Sequence, residues 1–268
     1  MSENRMKDAK AVKEQYSSST NLKTRMSIHE KYSVNQLGFG NWLYQQYEIE
    51  DGMRILELGC GTGDLWTNHI GSLKPGASLI LSDYSEGMVE VVRNKFSSNQ
   101  RVSFEQINIE EIPYEDESFD MIIANMMLYH VPDLQKGLGE VYRVLRKSGS
   151  FYCATFGENG IQQYLTRSLS SYGVRIDISG SFTLQNGADI LGKYFKEVDR
   201  RDYADALRVT ETEDLLDYLY SMTSIGYLGN ITREELYHIF ESEKDEKGII
   251  HIPKEYGMFV CKRGRIGD

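Results

Sequence analysis

The segment that most constrains this chain is the nonapeptide Ile55–Gly63, which reads Ile-Leu-Glu-Leu-Gly-Cys-Gly-Thr-Gly. Its first four residues form an apolar run broken only by Glu57, which is typical of a buried parallel strand. Gly59, Gly61 and Gly63 follow at alternate positions, and glycine lets the backbone turn sharply and lets a ligand approach closely. Open α/β sheets bind ligands where a strand ends in such a turn before a helix. The segment therefore predicts a ligand site at this turn.

The spacing of these glycines argues against two common nucleotide-binding motifs. A G-x-G-x-x-G fingerprint opened by Gly59 would need a third glycine where the chain has Asp64. A P-loop would end its glycine run in Gly-Lys-Ser or Gly-Lys-Thr, and this run does not. The remaining form, E-L-G-C-G-T-G preceded by Ile-Leu, closely resembles the first motif of class I S-adenosylmethionine-dependent methyltransferases. The resemblance implies that the cofactor is bound by Glu57, Gly59, Cys60, Gly61 and Gly63.

Length, charge and cysteine usage narrow the classes of protein. A chain of 268 residues suits one α/β domain with additions or two small domains. The net charge of −10 disfavours broad electrostatic affinity for nucleic acid or for anionic membranes. The polar N-terminus does not resemble a signal peptide, and no apolar stretch approaches the roughly 20 residues of a membrane span. Three well-separated cysteines without a C-x-x-C pair predict a cytoplasmic protein with no metal site.

Strand-like and helix-like segments alternate between residues 51 and 157, which predicts parallel β-α units. The predicted strands lie at about 53–58, 78–82, 102–107, 119–125 and 149–155. The predicted helices lie at about 63–72, 85–97 and 134–147. We expect this stretch to form the cofactor-binding core of the protein.

Three further stretches surround the predicted core. We expect residues 1–50 to form a helical lid segment and residues 158–250 a helical cover with one added strand. Residues 251–268 should supply the final strand and a tail, because Tyr256-Gly-Met-Phe-Val-Cys261 is similar in placement to the antiparallel strand that closes the family's sheet. The resemblance therefore implies a Rossmann-like α/β fold: a doubly wound, mostly parallel, seven-stranded sheet with an antiparallel last strand.

The end of the second predicted strand supplies a carboxylate for the nucleoside. Asp83 follows the apolar strand and lies twenty residues after Gly63. At this position in a β-α-β unit, a carboxylate can accept hydrogen bonds from both ribose hydroxyls. Tyr84 would then offer an aromatic face to the adenine. Met88 could pack beside it or serve as an ordinary core methionine.

The ends of the third and fourth strands resemble two further family motifs. Asn108-Ile109-Glu110 is similar to the family's D-A-E segment, which implies that the Asn108 carbonyl and the Ile109 main chain contact the adenine. The family usually has aspartate at this position. The stretch from Ser118 to Asp133 resembles the family's S-F-D strand and L-x-H-x-x-D turn. It implies that Asn125 borders the methionine part of the cofactor and that Tyr129 and His130 lie near the transferred methyl group.

The N-terminal stretch is less specific. On a helix, Arg25, His29 and Tyr32 would share one face. In related small-molecule enzymes such segments fold over the ligands, so Arg25 could pair with the cofactor's carboxylate, and Tyr16 and Tyr32 could contact the substrate. The alternative is a solvated helix face. We expect Tyr47 to pack against the sheet rather than bind a ligand.

The cofactor's sulfonium already carries a good leaving group, so the protein must mainly position a nucleophile in line with the S–CH3 bond. A general base is required only where that nucleophile must lose a proton. Neutral imidazole suits the role, because its pKa lies near 6.5 in model compounds. We take His130 as the first candidate and His29 as the second; alternatively, His130 forms a structural hydrogen bond that holds its loop.

Three functions remain open from sequence. The acidic composition and the cover region favour a methyltransferase that acts on a small molecule. A methyltransferase acting on RNA or protein would call for a basic rim or a recognition module, and often for an N-P-P-Y motif where this chain has Asn125-Met-Met-Leu. The third possible function is a cofactor-binding protein without transferase activity, because binding a cofactor does not show that a reaction is catalysed.

Overall fold

The computed structural model of the protein describes residues 20–176, 181–222, 225–227 and 231–264. The strands of the main sheet are β1 (Arg54–Leu58), β2 (Ser78–Asp83), β3 (Val102–Gln106), β4 (Phe119–Asn125), β5 (Leu145–Phe156), β7 (Glu197–Val209) and β9 (Ile250–Lys262). A separate two-stranded sheet pairs β6 (Arg175–Ile176) with β8 (Ile225–Tyr227). The helices are α1 (Thr20–Tyr32), α2 (Phe39–Gln46), α3 (Asp64–Thr67), α4 (Glu86–Phe96), α5 (Leu134–Val144), α6 (Ile161–Ser168), α7 (Gly187–Leu191), α8 (Thr212–Ser221) and α9 (Arg233–Glu241).

The order of the strands follows the predicted doubly wound pattern. Seven strands form one sheet in the order β3-β2-β1-β4-β5-β9-β7. Strand β1 is parallel to β2 on one side and to β4 on the other, so that Leu56 lies opposite both Ile80 and Ile122. The β2–β3 and β4–β5 pairs are also parallel, and the last strand is antiparallel. The predicted fold class is therefore confirmed, and the carboxyl ends of β2, β1 and β4 share one edge of the sheet.

Hydrophobic patterning explains why these segments take these forms. Ile55, Leu56 and Leu58 of β1 are at most 1% exposed, as expected for a central parallel strand covered on both faces. Helix α4 buries Met88, Val89, Val92 and Phe96 on one stripe, which is the spacing of an amphipathic helix. Helix α5 begins where the Asp133 side chain accepts a hydrogen bond from the Lys136 backbone N–H, at 3.0 Å.

The described chain divides into two compact units. The sheet unit contains residues 39–155, 181–201 and 257–264. The second unit contains residues 20–38, 156–176, 202–222, 225–227 and 231–256. Each has its own apolar core: Trp66, Leu79 and Ile123 lie in that of the sheet unit, and Leu165, Leu216 and Phe240 in that of the second unit. No helix in the described ranges is both long and apolar enough to span a membrane.

Several predicted boundaries were wrong, for local reasons. The helix predicted at 134–147 ends at Val144, because Leu145 takes an extended conformation and pairs with Phe119 at the start of β5. The helix predicted at 63–72 is only α3 followed by a 3₁₀ turn at Ile70–Ser72. The N-terminal helical stretch is interrupted between α1 and α2, where Ser33 forms an isolated antiparallel bridge with Leu207 of β7.

Candidate functional site

The glycine turn after β1 has the left-handed backbone that its sequence predicts. Gly59, Gly61 and Gly63 have φ angles of +68°, +55° and +66°. A Cβ on Gly59 would fall 2.9 Å from the Met127 side chain, and one on Gly63 would fall 2.8 Å from Val92. A Cβ on Gly61 would meet nothing within 4 Å. The outer two glycines are thus required by packing, whereas Gly61 exposes bare backbone that a ligand can approach.

Asp83 ties the second strand to the glycine turn. Its Oδ2 accepts a hydrogen bond from the Gly61 backbone N–H at 3.0 Å, and its Oδ1 accepts one from Ser85 at 2.8 Å. Burial raises the pKa of Asp83, while these backbone donors oppose the shift. A carboxylate oxygen has more than one lone pair, so each retains the capacity to accept a further bond from a ligand hydroxyl.

Glu57 is a carboxyl group buried beneath the turn. It is 4% exposed, and its Oε2 accepts a hydrogen bond from the indole N–H of the fully buried Trp66. Burial raises the pKa of Glu57 to about 7; the bond from Trp66 opposes the shift, the Asp83 charge adds to it, and a hydrogen bond from Asn125 opposes it. A cation that bound beside Glu57 would favour the ionised form.

Asn125 lies at the end of β4, and only its amide nitrogen is paired within the described part of the chain. Its Nδ2 donates a hydrogen bond to the Tyr47 hydroxyl at 2.7 Å. Its Oδ1 is buried and has no hydrogen-bond partner among the described residues. The next residue, Met126, has a φ of +53°, which is uncommon for a residue other than glycine. A strained turn and an orphan buried acceptor together are typical of a ligand site.

The other residues predicted to contact the nucleoside also belong to the sheet unit. Tyr84 is 49% exposed, and Met88 is buried on α4. The Asn108 Oδ1 accepts a hydrogen bond from the Glu110 backbone N–H at 3.0 Å and retains a second lone pair. The Ile109 side chain is buried. Their contacts with adenine stay predictions.

Tyr129 and His130 lie together on the 3₁₀ turn that follows β4. Their rings are 4.5 Å apart between centroids and tilted by 58°. The Tyr129 carbonyl accepts a hydrogen bond from the Ser181 hydroxyl at 3.3 Å, and the His130 backbone N–H donates to Met127 at 2.9 Å. The turn is therefore anchored through its backbone. The proposed roles of the two side chains stay predictions.

In the second unit, the residues predicted to share one face of α1 all interact with α8. The His29 ring lies 6.0 Å from the Tyr218 ring, Arg25 interacts electrostatically with Tyr218, and the Tyr32 hydroxyl donates to Asp214 at 2.5 Å. Burial is the main cause that raises the pKa of Tyr32 to about 12. Their contacts with cofactor or substrate stay predictions, and Tyr16 lies outside the described residues.

Burial also determines the protonation state of His29. Loss of hydration lowers its pKa to about 3; the charge of Lys254 adds to the effect and Asp205 opposes it. Its Nε2 lies 3.3 Å from the Tyr256 hydroxyl, and its Nδ1 is buried without a hydrogen-bond partner in the described part of the chain. The imidazole is thus neutral at pH 7 and a weak base.

Sequence reasoning missed two residues that hold the site together. Tyr47 was expected only to pack against the sheet, and it also binds the Asn125 amide. Trp66 was not singled out, and it donates to Glu57. Both are aromatic residues with a polar atom, a type that usually pairs that atom when buried, but nothing in the sequence identifies the partner.

These groups fit the cofactor that the first motif implies. Asp83 can accept from ribose hydroxyls, and Gly61 allows close approach of the cofactor to the backbone. Glu57 and the Asn125 Oδ1, which has no partner among the described residues, are acceptors suited to an ammonium group.

Comparison with known proteins identifies the family of the chain. The family model described as a methyltransferase domain matches residues 49–198, more than half of the chain. A demethylmenaquinone methyltransferase of Clavibacter sepedonicus is 36% identical over 105 residues, which cover 39% of this chain and 42% of that protein. The ubiquinone/menaquinone biosynthesis C-methyltransferase UbiE of Vibrio campbellii is 32% identical over 143 residues, covering 49% and 55%. The chain spans about half the length of these curated relatives.

The fold is also shared with solved structures. Phosphoethanolamine N-methyltransferase 2 of Haemonchus contortus, solved with S-adenosyl-L-methionine, superposes with a TM-score of 0.57 at 16% identity. The match covers 92% of this chain and 58% of that one. At this identity the likeness shows the fold. The family match supplies the rest: the chain belongs to the methyltransferase domain family, as a class I, S-adenosylmethionine-dependent member.

Proposed function

We propose that the protein transfers a methyl group from S-adenosylmethionine to a small-molecule acceptor by in-line displacement, leaving S-adenosylhomocysteine. The main support is the meeting of Asp83, Glu57 and Asn125 around the glycine turn, where the acceptor atoms suit the two polar ends of the cofactor. When bound, the cofactor supplies an activated methyl group on a sulfonium. The protein's own task is then to bind, orient and exclude water, for which positioning can supply up to about 7–11 kcal/mol of the barrier.

Each end of the proposed site has its own task. The Asp83 carboxylate would hold the ribose and, through Gly61, keep the turn in its binding conformation. Glu57 and Asn125 would fix the amino-acid end. With both ends held, the sulfonium between them has one orientation, which is what a reaction that demands an in-line nucleophile requires.

For proton transfer we propose His130 ahead of His29. His130 follows the strained turn at Met126 and lies in the same unit as the glycine turn. A base with a pKa near 3, such as His29, takes a proton from an acceptor hydroxyl poorly at neutral pH. We propose Tyr129 as a wall of the acceptor site and retain Tyr32 and Tyr16 as acceptor contacts and Arg25 as a partner of the cofactor carboxylate.

The acceptor class is suggested by the relatives. The names of those in Clavibacter sepedonicus and Vibrio campbellii refer to demethylmenaquinone and to C-methylation in quinone biosynthesis. We therefore propose a hydroxylated aromatic ring, with the quinol as the first compound to test. Loss of a ring hydroxyl proton to His130 would raise the electron density at the neighbouring carbon, which would form the new C–CH3 bond as the S–CH3 bond breaks. That carbon would then lose its own proton to solvent, and the ring oxygen would regain one from His130, which restores the aromatic ring.

Label transfer tests this function. Purified protein is incubated with methyl-labelled S-adenosylmethionine and either a cell extract or reduced demethylmenaquinone, with Asp83→Ala as the control. We expect a labelled small-molecule product, separated from the labelled cofactor, for the wild type only. Label on RNA or protein would replace the proposal with a macromolecular methyltransferase, and binding of the cofactor with no label transferred to any fraction would favour a non-catalytic protein.

A further inference from the structure

Tyr47 is held in place by its surroundings before any hydrogen bond is considered. It follows directly after α2 and is 8% exposed. Its backbone N–H donates to the Tyr44 carbonyl at 3.1 Å, and its ring meets the ring of Tyr152 edge-on, with centroids 5.2 Å apart and planes at 80°. Burial raises the pKa of Tyr47 well above its usual range, so the hydroxyl is neutral. A fixed ring gives this hydroxyl a fixed position.

That hydroxyl determines the orientation of the Asn125 amide. The Asn125 Nδ2 donates to it at 2.7 Å, and an interaction of the Asn125 side chain with Glu57 opposes the rise in the pKa of that carboxyl group. Because the amide is planar and its Nδ2 is turned toward the Tyr47 hydroxyl, Oδ1 points away from that hydroxyl. It is buried and unpaired among the described residues, which costs about 1–3 kcal/mol unless a ligand pairs with it.

The acceptor chemistry of the Asn125 Oδ1 indicates which ligand group can donate to it. Oδ1 is an acceptor only, so it needs an N–H or O–H donor. The Asn125 side chain also interacts with Glu57, another acceptor, whose buried carboxyl favours a cation when ionised. Oδ1 suits a primary ammonium, which carries several donors, and the Glu57 carboxylate favours its positive charge. The cofactor has one such group, at its amino-acid end, away from the ribose.

We propose that Tyr47 is a positioning residue: it locks the Asn125 amide so that Oδ1 accepts a hydrogen bond from the ammonium group of the cofactor. The inference rests on the cofactor of the family and is independent of the proposed acceptor. Tyr47 itself does not touch the ammonium. Its removal should therefore weaken only those ligands that carry this group.

Two ligands separate this role from a general structural one. S-adenosylhomocysteine carries the ammonium, and 5′-methylthioadenosine keeps the nucleoside and the sulfur but lacks the amino-acid end. Calorimetric titration of both is performed on wild type, Tyr47→Phe and Asn125→Ala. The matched control is Tyr44→Phe, at a tyrosine of helix α2 just before Tyr47; it loses only a 3.5 Å hydrogen bond to the Ser72 carbonyl. Thermal melting checks that each variant folds.

We expect Tyr47→Phe to weaken S-adenosylhomocysteine about five- to tenfold, the value of one lost hydrogen bond, and 5′-methylthioadenosine less than about twofold. Asn125→Ala should show the same selectivity. The double variant Tyr47→Phe/Asn125→Ala should lose little more affinity for S-adenosylhomocysteine than Asn125→Ala alone. Tyr44→Phe should match the wild type with both ligands.

Equal weakening of both ligands by Tyr47→Phe, or no weakening, would overturn the positioning role. Should Tyr47→Phe fail to fold, the selectivity of Asn125→Ala decides, because an ammonium acceptor must distinguish the two ligands and a packing residue need not. A wild type that bound neither ligand would contradict the cofactor assignment itself, which is a different failure.

Discussion

The indole N–H of Trp66 donates a hydrogen bond to the buried carboxyl group of Glu57, nine residues earlier in the chain. Trp66 is fully buried, so this bond joins the apolar core of the sheet unit to the polar floor of the proposed site. A buried carboxyl with so few donors is costly to ionise. Ligand binding should therefore change the protonation of Glu57, and the stability of the folded protein should depend on pH.

The first prediction concerns stability against pH. The pKa of Glu57 is raised from 4.5 to about 7 in the folded protein, so the folded state binds its proton more tightly than the unfolded state. This contribution is fully present below about pH 4.5 and is lost as the pH rises to about 7. Between pH 5 and pH 8, the wild type should lose up to about 3 kcal/mol of unfolding free energy relative to Glu57→Gln. Urea titrations of the two proteins measure this difference in unfolding free energy. Equal pH dependence in both proteins would contradict the prediction.

The second prediction concerns the ribose. Asp83→Ala removes the carboxylate that accepts from Gly61 and, as we propose, from the ribose hydroxyls. S-adenosylhomocysteine and 5′-methylthioadenosine share the ribose, so both should bind about 10- to 100-fold more weakly in calorimetry. Asp116→Ala, at an exposed acid, is the control and should change neither constant. Unaltered binding by Asp83→Ala would show that this residue does not hold the ribose.

The third prediction concerns the general base. His130→Ala should lower turnover with the true acceptor at least about tenfold, the lower range for loss of a general base, while cofactor affinity changes little. The control is His238→Ala, on the exposed side of α9. The acid limb of the pH–rate profile should persist in His29→Ala, because the pKa of His29 is near 3. Undiminished turnover in His130→Ala would remove His130 from the catalytic residues.

The fourth prediction concerns a buried ion pair in the second unit. The Lys254 Nζ lies 2.6 Å from the Asp205 Oδ2, and the two side chains are 2% and 0% exposed. Removing one partner by Asp205→Leu leaves an uncompensated buried charge and should cost about 3–5 kcal/mol of unfolding free energy. The double variant Asp205→Leu/Lys254→Met should recover most of that loss. Strictly additive losses in urea denaturation would mean that the pair is not coupled.

The parts of the site that sequence could predict are those encoded locally. The turn at Gly59–Gly63 and the acid at the end of β2 follow from residue order, because parallel strands bring their carboxyl ends to one edge. The Tyr47–Asn125 bond joins residues 78 positions apart, and no periodicity specifies it. Likewise, the pairing of β7 with β9 depends on tertiary context, and Leu145 became a strand residue because Phe119 was available to pair with it.

The central claim is that the cofactor lies against the backbone at Gly61. Titration of S-adenosylhomocysteine into Gly61→Ala and Gly52→Ala tests it most directly, because both glycines have positive φ and open space at the Cβ position, so the two substitutions strain the fold alike. We predict that Gly52→Ala binds as the wild type does and that Gly61→Ala, although folded, binds at least about tenfold more weakly. Equal affinities in the three proteins, or no binding to the wild type at millimolar ligand, would contradict the claim.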